Sequence, residues 1–134
     1  MLLTASYGVE RCHFHHGVGF QYNTFQPIAN SEDGSGIDRP HIMPLYNAFL
    51  LVNEAIGKTG DSWVSEIGTQ SNSISAYGIY ENKQLTRMVV INHQVYRGEG
   101  ERPSFRIKLA GWQDGWSASV KTLIGPKTDA STGM

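Results

Sequence analysis

Cysteine is almost missing from this chain. Its 134 residues include one, Cys12. A single cysteine excludes an internal disulfide framework and leaves the redox compartment open. Charge of one sign is also missing, with 11 Lys and Arg against 12 Asp and Glu and a formal net charge of −1. Such a balance offers no basic surface for nucleic acid or anionic lipid. No apolar run reaches the roughly 18 residues of a membrane-spanning helix. Neither nucleic acid nor a membrane is therefore an expected partner. The first residues, MLLTASYGVE, lack a basic leading region, and their apolar stretch is too short for a secretory signal. No Asn-x-Ser/Thr sequon occurs, so glycosylation leaves no mark of secretion either.

What is present describes an ordinary folded chain. Hydrophobic residues make up 40% and charged residues 17%, a globular balance in a length that suits one domain with a real core. Fifteen glycines and three tryptophans point to a loop-rich β protein or one that faces carbohydrate.

Along the chain, Leu2, Leu3, Ala5 and Tyr7 read as the last turns of a helix, with Gly8 just past its end. A helix of this length is marginal alone, so we read it as one whose beginning has been cut away. The mixed apolar and aromatic run Val9 to His16, stopped by Gly17, has the length of a buried strand. Gly17 to Pro40 is a long connection. Its first half is aromatic, and Asn30 to Asp38 reads as a surface excursion. Ile42, Leu45, Tyr46, Phe49, Val52 and Ile56 then follow helical spacing, which predicts a helix over 41–56 that starts near Pro40 and ends at Gly57.

Beyond Asp61 the period changes to two. Strands are predicted over 62–67, 73–80 and 83–96, with a hairpin turn at Tyr80-Glu81-Asn82-Lys83. The continuous MVVIN run of the third predicts a central strand covered on both faces. Phe105, Ile107 and Leu109 alternate with Arg106 and Lys108, the pattern of a half-buried strand. Asp114-Gly115 is a turn signal, and Trp116 to Thr122 gives a fifth strand. A β/α unit followed by an antiparallel sheet is two half-architectures, and neither closes its core alone.

Three constellations bear on chemistry. Cys12, His13, His15 and His16 fall within five residues, and His13 and His15 would share a strand face. A closed zinc site needs about four ligands, and no second cluster supplies the rest, so structural histidines are expected and no metal is assigned. Glycosidic hydrolysis needs two carboxyl groups roughly 5 to 10 Å apart. Glu10, Glu32, Asp33, Glu54, Glu66 and Glu81 form no convincing pair, so no catalytic residue is assigned. The loop from Gly17 to Asn23, GVGFQYN, combines glycines for close backbone approach with aromatic faces and a tyrosine hydroxyl. From these residues alone, a ligand loop and a structural turn remain equally open.

Three stretches carry a resemblance: GVERCHFHHGVGFQYNTFQPI, RPHIMPLYNAFLLVNEAIG and SISAYGIYENKQLTRMVVIN. Together they resemble the C-terminal part of family-79 glycoside hydrolases, most of all the fungal-type β-glucuronidases, which are related to heparanase. The likeness runs from Met1 to about Pro126. It implies an α/β plus all-β architecture: the last β/α unit of a (β/α)8 barrel over 1–60, then an incomplete antiparallel β-sandwich domain over 61–134, truncated at both ends. It also implies a retaining glycosidase that needs no cofactor and whose two glutamates lie on barrel strands upstream of Met1. The partners it implies are a glucuronic-acid-containing glycan or glycoside and the upstream part of the same protein, and the parent would be secreted. In the family the loop after the last barrel strand binds the sugar carboxylate through a backbone N–H and a tyrosine. Gly19, with Phe20 or Tyr22, could match those positions, while His16 departs from the glutamine expected before the glycine. By this likeness the segment alone is inactive. The other class of function is a non-catalytic carbohydrate-binding β module with Trp63, Trp112 and Trp116 as its platform.

Overall fold

A computed structural model of the chain describes residues 1–16, 23–26, 29–30, 36–37, 41–58, 60–102, 104–111 and 113–125. Helix α1 spans Leu2–Ser6. Tyr7 follows it and Gly8 takes φ 78, the left-handed conformation in which a helix commonly stops. Leu2 is buried, and α1 packs beside the first strand of the main sheet.

Residues 9–16 form no strand. They run as exposed chain, with Val9 and Phe14 each close to half accessible, which corrects the strand expected there. The pattern of that run was compatible with a strand, but a strand also needs a ladder partner, and none is present among the described residues. The long connection holds short antiparallel pairs that its sequence did not reveal. Strand β1 (Phe25–Gln26) pairs with β4 (His41–Ile42), and β2 (Ala29–Asn30) with β3 (Gly36–Ile37) lies nested within that pair. Two-residue rungs are too short to leave a period in the sequence.

Helix α2 spans Pro44–Ile56. It starts three residues later than expected because Met43, held extended ahead of Pro44, is its N-cap, and proline occupies the first turn where its missing N–H costs nothing. Gly57 ends it at φ 84 and ψ −176. Met43 and Ala55 are buried, while most of the remaining apolar face is half-buried.

The main sheet contains β5 (Ser62–Ile67), β6 (Ile74–Glu81) and β7 (Gln84–Asn92) in antiparallel order β5-β6-β7. All three strands were legible in the sequence, but their positions correct one expectation. The middle strand is β6, where Ala76, Tyr77 and Ile79 are buried, and the MVVIN strand lies at the edge. A β-bulge lies opposite Ile79 and Tyr80. Arg87 faces Ile79 and Leu85 faces Tyr80, which leaves Thr86 as the extra residue, its hydroxyl donating to the Ile79 carbonyl at 3.2 Å. The bulge shifts the residues before Thr86 to the other face relative to those after it, and leaves the alternation within 88–92 intact.

The β6–β7 hairpin turns one residue later than its sequence implied, through Asn82 and Lys83, with Glu81 opposite Gln84. Both turn residues have positive φ, 51 and 65, as in a two-residue type I′ turn. Asparagine tolerates that conformation, whereas lysine pays for it. Lys83→Gly is therefore expected to raise stability by about 1 kcal/mol, read as a higher midpoint in urea unfolding. An unchanged midpoint would contradict the turn assignment.

The expected strands at 105–109 and 116–122 are not formed. Phe105, Ile107 and Leu109 keep their alternation, yet all three stand exposed, as does Trp116. No helix is long and apolar enough to cross a membrane among the described residues.

Candidate functional site

Gly19, Phe20 and Tyr22, the residues expected to meet a sugar, lie outside the described residues. Their flanks are described, and both rest on α2. Before the segment, the ring of Phe14 meets Phe49 edge-on with centroids 4.9 Å apart. After it, Phe25 packs on Tyr46 at 4.9 Å and 52°. Asn23 is buried, and the Met43 N–H donates to the Thr24 carbonyl at 2.9 Å. Tyr46 and Phe49 are three residues apart, so helical geometry places them as neighbours on one face. Such aromatic pairs contribute about 0.5–1.5 kcal/mol each beyond area burial. The sequence showed these rings at helical spacing but gave no sign of their partners, because a contact across some thirty residues leaves no local period.

The histidine cluster does not assemble into a site. Cys12, His13, His15 and His16 are all exposed, and no group of three or more potential ligands is gathered among the described residues. The Cys12 sulfur sits 3.2 Å from the Thr4 hydroxyl, tying the exposed chain back to α1. His93 instead bonds through Nε2 to the Ser75 hydroxyl at 2.9 Å, joining the end of β7 to β6.

The carboxylates are equally dispersed. Glu54 on α2 is ion-paired with Lys121, which fastens the C-terminal segment to that helix. Glu81 pairs with Arg87 at 2.6 Å, beside the end of α2. Glu10 and Glu66 are exposed, and Glu32 and Asp33 lie outside the described residues. Of the three tryptophans, two are described. Trp63 stacks on Tyr80, its cross-strand partner, at 5.3 Å and 9°, Trp116 is exposed elsewhere, and Trp112 lies outside the described residues.

Gly78 makes that stack possible. A Cβ there would come within 2.8 Å of the Tyr80 ring and 3.0 Å of a Leu85 methyl, so the central strand keeps a glycine where the ring lies across it. Farther on, Arg102 stacks over the Tyr96 ring at 4.3 Å and donates to the Gly125 carbonyl at 2.7 Å. These contacts order a surface but bring no reactive groups together.

What this arrangement defines is an antiparallel β domain with a helical arm at its N-terminal end, the helix carrying the flanks of one loop. The domain's class has a more particular description. Residues 76–134 match the Glycosyl hydrolase family 79 C-terminal beta domain. The chain is also distantly similar to fungal β-glucuronidases over most of its length. It is 31% identical to a β-glucuronidase of Neurospora crassa, over 76% of this chain and 20% of that protein. It is 23% identical to one of Aspergillus niger, over 99% of this chain and 26% of that protein. The chain therefore spans about a fifth to a quarter of these relatives. No solved structure matches it.

Proposed function

We propose that this chain is the C-terminal portion of a β-glucuronidase-type glycoside hydrolase that removes a terminal uronic acid from a glycan or glycoside. The observation that carries the reading is the extent of the similarity. The family's β domain accounts for residues 76–134, while the likeness to the Aspergillus β-glucuronidase extends over nearly all of the chain, including the arm before that domain.

In this reading, residues 1–60 complete a barrel as its last β/α unit. The run 9–16 becomes a strand only when barrel neighbours supply its ladder, which agrees with its exposed, non-strand course here. The exposed alternating runs at 105–109 and 116–122 become the second layer of a sandwich. Gly19 and either Phe20 or Tyr22 meet the sugar carboxylate. The two catalytic carboxyl groups come from the preceding chain and act by double displacement, a mechanism that calls for neither metal nor cofactor. The whole protein is secreted.

The 134-residue chain alone is expected to release no aglycone from an aryl β-glucuronide, while a longer product of the same gene does so with retained anomeric configuration, followed by NMR of the first-formed sugar. Turnover by the short chain would overturn the reading.

A further inference from the structure

We draw no further inference here: the strongest candidate, the surface patch that the stacked Trp63 and Tyr80 rings form with Leu85 on one face of the β5-β6-β7 sheet, is an open apolar face, and nothing among the described residues shows what covers it.

Discussion

Ile79→Ala is expected to destabilise the chain by about 2–5 kcal/mol, and Ile79→Val by about 1 kcal/mol, measured as shifts in urea unfolding followed by far-UV circular dichroism. Ile79 has no accessible surface. It lies on the central strand, between Val64 of β5 and Arg87 of β7, directly at the bulge. Six hydrophobic residues are buried among the described residues, so the sheet has few other contacts on which to fall back. A small domain holds about 5–15 kcal/mol in total, which makes this loss a large share. If Ile79→Ala unfolded at the wild-type midpoint, the buried side of the sheet would not be where it is placed here.

The second large effect is expected at Gly57. Its φ of 84 combined with ψ of −176 belongs to a region essentially closed to other residues, and asparagine brings no relief there because ψ is far from the left-handed helical value. A Cβ at this position would also come within 3.1 Å of Arg87 Nη1 and 3.2 Å of Glu81 Oε1. Gly57→Ala should cost about 1–3 kcal/mol from the backbone alone, seen as a lower midpoint in thermal unfolding. Combining it with Glu81→Ala and Arg87→Ala separates the causes. Crowding would be relieved in the triple variant, measured against the Glu81→Ala, Arg87→Ala background, whereas backbone strain would remain in full. Full recovery of the midpoint would contradict the strain.

Why the sequence revealed some elements and hid others comes down to whether the signal is local. Helix α2 repeats its apolar residues every three or four positions, and β5 through β7 are bounded by glycine, turn and polar residues, so each element carried its own evidence. The run 9–16 and the alternating run 105–109 carried equally good local patterns, yet neither forms a strand, because pairing depends on a neighbour that no local pattern names. Thr86 illustrates the same limit on a finer scale. Nothing in QLTRMVVIN marks it as the extra residue of a bulge, although that one residue decides which side chains of β7 share a face. At the loop, glycines and aromatics identified a candidate segment, but the grip of Phe14 on Phe49 and of Phe25 on Tyr46 emerges only in three dimensions.

Helix α2 has a consequence beyond its contacts. Its 13 residues make a rod about 20 Å long. Phe14 and Phe25 contact it toward one end, at Phe49 and Tyr46, and the other end abuts the Glu81–Arg87 pair of the β6–β7 hairpin across Gly57. The rod works like an axle with a wheel at each end: a turn of the helix by one residue would rotate both fittings through about 100°. Substitutions in the hairpin are thus expected to reach the Phe14–Phe49 and Phe25–Tyr46 contacts through the helix, some distance from where they are made.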